Sequence, residues 1–231
     1  MNTVLPPFVP LSMVLSLFLC VFCFYKASGN TTRVLSVILA FAAVQGLAAF
    51  LGFYSQFDAV PPRLPLLVLP SFALIALLFA FPMSRAFLDA IDPSWLTFLH
   101  IVRFPIELVL YWLFLFDLVP ELMTFEGRNY DILSGISAPF IAYWAYIKKS
   151  MSPKWLLVWN FVCLALLLNI VIQAILSAPG PFQQLSFEMP NTGVFYFPYV
   201  WLPSIIVPLV FLSHVICIRQ LIRTLSLRQD A

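Results

Sequence analysis

His100, Arg103, Glu107 and Tyr111 lie within LHIVRFPIELVLYWLF (99–114), an otherwise apolar stretch. An arginine and a carboxylate four residues apart can bind an anionic or zwitterionic group. The carboxylate or the imidazole can also exchange a proton when its surroundings change. In an enzyme the same set would serve as general acid or base, with the guanidinium steadying a developing negative charge. On a helix advancing 100° per residue, the four side chains share an arc about 80° wide and run along it for about 16 Å. Each charge at the centre of a membrane span costs about 2.5–3.5 kcal/mol. Gathering the charges on one face is therefore what a helix in lipid would require.

The face predicts a direct Arg103–Glu107 pair, although arginine preceding glutamate is the less favourable order for a helix surface. Helix stabilisation alone is thus a poor reason for the pair. Pro105 cannot donate to the carbonyl of Ile101, so a kink is expected beside it. Polar residues of other segments match the face by depth: Gln45 (followed by Gly46), Tyr143, Asn169, Gln173 and His214. Together they predict a polar cavity lined by the second, fourth, sixth and seventh spans. The competing reading for Gln45, Tyr143, Asn169 and Gln173 is hydrogen-bond glue between helices, worth about 0.6 kcal/mol each. Three ionisable groups on one helix are too costly for glue, and for them the functional reading takes precedence. His100 and His214 as a haem-ligating pair is the one cofactor alternative, with no CxxCH motif to accompany it. No metal set is expected.

The elements that must position these residues follow from composition. Of 231 residues, 62% are hydrophobic and 10% charged, against about 25% charged for a soluble domain. Most of the surface must therefore face something other than water. In lipid every backbone polar group needs an internal partner, which restricts spanning chains to helices or closed barrels. The apolar runs are too long for barrel strands. The expected fold is all-α: a polytopic membrane protein forming one domain over 1–231, with seven spans near 7–25, 34–55, 64–82, 95–118, 132–147, 155–178 and 198–218. The fifth is the shortest and contains Gly135 and Pro139.

Orientation follows from basic residues. One set of alternate loops holds Lys26, Arg33, Arg85, Lys148, Lys149, Lys154, Arg219, Arg223 and Arg228, whereas the other holds Arg63 and Arg128. The positive-inside rule then places the N-terminus outside and the C-terminus in the cytoplasm, in a bacterial inner membrane or a plasma membrane. The first segment has no basic residue before Lys26 and no A-x-A site, so it reads as a retained helix rather than a signal peptide. Trp95, Trp155 and Trp201 open spans four, six and seven, where interfacial aromatics are expected.

Cys20, Cys23, Cys163 and Cys217 fall within spans. CVFC at 20–23 has redox spacing, but on an apolar helix these cysteines read as small hydrophobes. The outer segment 119–131 is rich enough in Met and Phe to fold back on the bundle, with Asp131 a candidate cap for span five. The segment 179–197 reads as a lid or as an amphipathic stretch on the membrane.

No basic block suggests nucleic acid, and no Gly-rich loop suggests a nucleotide. Span seven contains no lysine that could hold retinal. The expected partners are the bilayer and a small-molecule or lipid ligand, with oligomerisation open. The leading expectation is a small transporter or ligand-binding membrane protein. The alternatives are a membrane enzyme acting on a lipid or isoprenoid, and an accessory or scaffolding subunit.

Overall fold

Long apolar runs punctuated by Pro, Gly and Asp fold here into helices joined by tight turns and by three longer segments, after α2, α6 and α8. The computed structural model describes residues 5–229. The first four and last two residues of the chain, and the side chains of Arg228 and Gln229, lie outside the described residues. Among those described there is no strand.

The helices are α1 (Phe8–Ala27), α2 (Thr32–Phe50), α3 (Leu64–Ala80), α4 (Arg85–Ala90), α5 (Pro93–Leu99), α6 (Arg103–Leu115), α7 (Ile132–Ala142), α8 (Pro153–Ser177) and α9 (Val207–Gln229). A 3₁₀ turn at His100–Val102 joins α5 to α6. α7 runs on as a π-turn over Tyr143–Ile147, and a second π-turn, Leu202–Ile206, leads into α9. Five segments are long and apolar enough to cross a membrane: Phe8–Ala27, Thr32–Phe50, Pro93–Leu115, Pro153–Ser177 and Leu202–Leu227. A sixth is counted if α3 and the segment Pro82–Ala90, bent by 87° at their junction, form one span. Ile132–Ile147 is apolar but shorter.

Local chemistry explains several boundaries. Asp92 accepts from the Ser94 backbone N–H at 2.8 Å and from its hydroxyl at 2.7 Å. Pro93 takes the first helical position, where its missing N–H costs nothing. Where a kink is expected at Pro105, a 3₁₀ turn at His100–Val102 precedes it, and Pro93–Leu115 still runs as one continuous span. The last helix extends beyond the expected 218 because its polar end has partners. Arg219 and Arg223 pair with Asp89, and the Gln220 amide donates to the carbonyls of Leu88 (3.1 Å) and Ile91 (2.9 Å). Hydrogen bonds from Arg223 and Arg219 hold the exposed Asp89 carboxyl below the usual carboxylate range.

The rod α5–α6 and the Leu202–Leu227 segment are the most enclosed, with half or more of their apolar stretch buried. Around them pack α1, α7 and α8. α2 and α3 are peripheral. α2 buries Ala42, Gln45, Gly46 and Ala49, whereas α3 buries Leu67 and Ile75. Trp201 is a packing residue rather than an interfacial anchor: its ring lies against Gly46 and its Nε1 donates to the Ala42 carbonyl at 2.9 Å. The four cysteines are buried and free.

Candidate functional site

The polar face of α6 is met by a segment that folds back along it. Residues 121–131 form a compact turn, opened by a 3₁₀ turn at Glu121–Met123. Within it Thr124 N–H and Oγ1 donate to the Glu121 carbonyl at 2.8 Å, and Arg128 N–H donates to that of Leu122 at 3.2 Å. Asn129 N–H donates to the Thr124 carbonyl at 3.2 Å. Gly127 permits the turn, since a Cβ there would lie 2.3 Å from the Glu121 carbonyl oxygen. Met123, Thr124, Asn129 and Asp131 are buried, while Glu126 and Arg128 remain exposed.

The turn places partners along α6 in antiparallel order. Tyr111 packs on Phe125 with ring centroids 4.9 Å apart. Glu107 Oε1 accepts from Asn129 Nδ2 at 2.6 Å. Arg103 forms a buried ion pair with Asp131. Beyond that pair, Gly135 lets α7 approach so closely that a Cβ would meet the Phe104 backbone N at 2.5 Å.

This arrangement corrects two expectations. Arg103 pairs with Asp131 rather than with Glu107, and Asp131 makes no side-chain cap on α7. Asn129 helps fix Asp131, accepting from its backbone N–H at 3.0 Å while donating to the Met123 carbonyl at 3.0 Å.

The guanidinium has partners at every nitrogen. Besides Asp131, Nη2 donates to the Cys163 carbonyl at 3.0 Å and Nη1 lies 3.1 Å from His214 Nε2. Hydrogen-bond logic assigns the His214 tautomer. The Asn160 amide donates to the Leu156 carbonyl at 2.9 Å, so its oxygen faces His214 Nδ1 at 3.0 Å. Nδ1 therefore carries the proton, and Nε2 accepts from Arg103. His100 stacks on His214 with centroids 3.9 Å apart and planes within 17°, and Trp159 packs edge-on to His100 at 5.6 Å. Rings stacked this closely leave no room for a porphyrin between them, and both nitrogens of His214 are already engaged. The geometry lends the haem alternative no support.

The expected residues thus divide. His100, Arg103, Glu107 and His214 converge, as their depth and face suggested. Tyr111 sits further along α6, against Phe125. Gln45 is buried on α2 and accepts from the Tyr54 hydroxyl, apart from the cluster. Asn169 donates to the Arg128 carbonyl at 3.0 Å and accepts from Gln173 at 3.0 Å, tying α8 to the folded-back turn. Tyr143 is exposed and does not reach Arg103. Sequence reasoning missed Asn129, Trp159 and Asn160 and gave Asp131 a capping role in place of its ion pair with Arg103. A buried Asn in an apolar helix and a polar loop carrying Met and Phe were the signals available for two of them.

A cavity of about 80 Å³ adjoins the cluster. One wall holds Arg103, Glu107, Asp131 and Asn191. The others are apolar: Leu64, Val68 and Phe72 from α3, Leu167 to Ile175 from α8, and Leu202 to Val210 from the last segment. Span two contributes nothing to it, and α3 stands in its place. Among the described residues, Glu107 Oε2 and Asn191 Oδ1 are buried polar atoms without a hydrogen-bond partner. Asn191 belongs to the segment 179–197, whose latter half is packed: Gly193 N–H donates to the Leu118 carbonyl at 2.7 Å, and Phe195 is buried against Phe57.

No curated protein and no solved structure matches the chain. Residues 61–222, more than half of the chain and the stretch that holds every residue of the polar cluster, match one family model, and the chain belongs to the family described as a domain of unknown function, DUF8737.

Proposed function

We propose that this is a seven-span membrane protein, N-terminus outside, that takes a small amphiphile into the cavity beside Glu107 as a transporter or ligand-binding protein. The observation that carries the reading is the pairing of an unpartnered, buried Glu107 oxygen with a cavity whose remaining walls are apolar. Arg103 is saturated by Asp131, His214 and the Cys163 carbonyl, so it serves as scaffold and leaves Glu107 to recognise the ligand. A carboxyl oxygen of this kind accepts from a hydroxyl or ammonium head, and the apolar walls suit a hydrocarbon body. Pro203, in the wall, lies within a π-turn of the last segment, and such broken helices suit a site that must admit and release its ligand.

Seven spans are supported by helices at all seven expected places, with Ile132–Ile147 the shortest. At about 24 Å it falls short of a hydrocarbon core of about 30 Å, and local thinning or flanking residues would absorb the mismatch. The orientation rests on the basic residues listed above, with Arg85, Arg219 and Arg223 grouped near Asp89 at one end of the bundle.

The test is recovery of the ligand. Mass spectrometry of organic extracts from purified protein is expected to show an amphiphile retained by wild type and lost from Glu107→Gln. Glutamine keeps the acceptor for Asn129, so the fold should survive. Val171→Trp, which fills the cavity from α8, should lose the ligand too. Equal extracts from wild type and both variants would sink the reading.

A further inference from the structure

A second cavity lies on the other side of α3, and its shape comes from the way α2 is held. All four buried residues of α2 belong to its second half, which is pinned by Trp201 at Ala42 and Gly46. Its first half, Thr32–Phe41, buries nothing. Val34, Val37, Ile38 and Phe41 nevertheless form the i, i+3, i+4, i+7 stripe that a helix ordinarily packs against a neighbour. Here the stripe lines a groove of about 360 Å³ whose far wall is α3 and whose floor is Ser204–Leu212.

The groove has one charged end. Arg33 is the single ionisable residue lining it, and it is exposed at the start of α2. Phe87 of α4 also lines the groove. Nearby carboxylates are already engaged: Asp89 with Arg219 and Arg223, and Asp92 with Ser94. Among the described residues Arg33 has no carboxylate partner. From Arg33 to Phe41 the groove runs about 12 Å, close to the roughly 15 Å of one leaflet's hydrocarbon.

We infer that this groove is a binding site for an anionic glycerophospholipid, with an acyl chain lying between α2 and α3 and the phosphate held by Arg33. The inference rests on the membrane-spanning reading but is independent of the Glu107 cavity. Hydrocarbon covers the unpartnered stripe of α2, and the headgroup neutralises an arginine that would otherwise face the membrane surface uncompensated. Each basic residue near an anionic headgroup is worth about a five-fold preference over a zwitterionic one.

Purified protein reconstituted into vesicles of equimolar phosphatidylglycerol and phosphatidylcholine, then re-extracted in detergent, allows retained lipid to be counted by mass spectrometry. Wild type is expected to retain phosphatidylglycerol in excess. Arg33→Gln should cut that excess by about five-fold, with Arg33→Lys keeping most of it. Val37→Trp with Leu74→Trp, which fills the groove, should lose bound lipid of both kinds. Val44→Trp adds the same bulk on a lipid-facing position outside the groove and should behave as wild type. Equal retention of the two lipids by wild type overturns the site, as does an excess unchanged in Arg33→Gln. A dimer in light scattering that the groove-filling variant dissociates would assign the groove to a second copy, and would overturn it as well.

Discussion

Arg103 shows how a buried charge finds its partner. Glu107 is only one helical turn away, but within a helix the arginine-first order aligns the pair poorly. Asp131 arrives from outside the helix, free to meet the guanidinium along its own fork, and a bidentate approach of that kind suits arginine. Removing one member of a buried pair leaves the other desolvated and alone, at a cost of about 3–5 kcal/mol. Arg103→Met and Asp131→Leu are each expected to lower the thermal midpoint of detergent-solubilised protein, followed by circular dichroism at the helical minimum. The double variant should recover much of the loss, because an apolar pair of similar volume needs no compensation. If the double variant melts as low as the sum of the singles, the two residues are not coupled.

At the scale of elements, the segment 121–131 decides what the α6 face can do. It turns through Gly127, presses against α6, and hands over to α7 at a contact only glycine can make. Gly135→Ala would place a methyl 2.5 Å from the Phe104 backbone N. Backbone cannot rotate out of the way as a side chain can, so α7 itself must shift. Overpacking of this kind costs about 1–3 kcal/mol. The expected result is a lower melting midpoint together with faster proteolysis between Glu121 and Asp131, since the shift loosens the Asp131 anchor. A variant that melts and cleaves like wild type would show that α7 does not sit this close. The face, its four members and the matching depth of His214 were legible from spacing and hydropathy. Asn129 and the true role of Asp131 were not. Helical periodicity describes neighbours on one helix, and it is silent about a loop that returns to the same helix.

For the whole molecule, the arrangement of basic residues predicts a measurable topology. The native cysteines are buried, so a single introduced cysteine can report sidedness. Glu126→Cys, in the first folded-back segment, should react with a membrane-impermeant maleimide in intact cells. Ser150→Cys, between the π-turn of α7 and α8, should react only after lysis. The opposite pattern would invert the molecule, and labelling of both from one side would remove α7 as a span. Helical segments occupy each of the expected stretches, α2 ending five residues early at Phe50 and the last segment starting late, at the Leu202–Ile206 π-turn, and running on to Gln229 through contacts with α4.

By itself the sequence determined the helices, because long apolar runs leave the backbone no other way to satisfy its polar groups in an apolar medium. It also determined that α6 carries charge on one narrow face, since that follows from residue order and the helical pitch alone. Only the tertiary structure decided what meets that face. Gln45, Asn169 and Gln173 had suitable chemistry and suitable depth, yet their partners are Tyr54, the Arg128 carbonyl and each other. Depth fixes one coordinate of a side chain; rotation and packing fix the rest. Those were set by close approaches at Gly135 and Gly46, which depend on residues distant in sequence and become visible only once the helices are assembled.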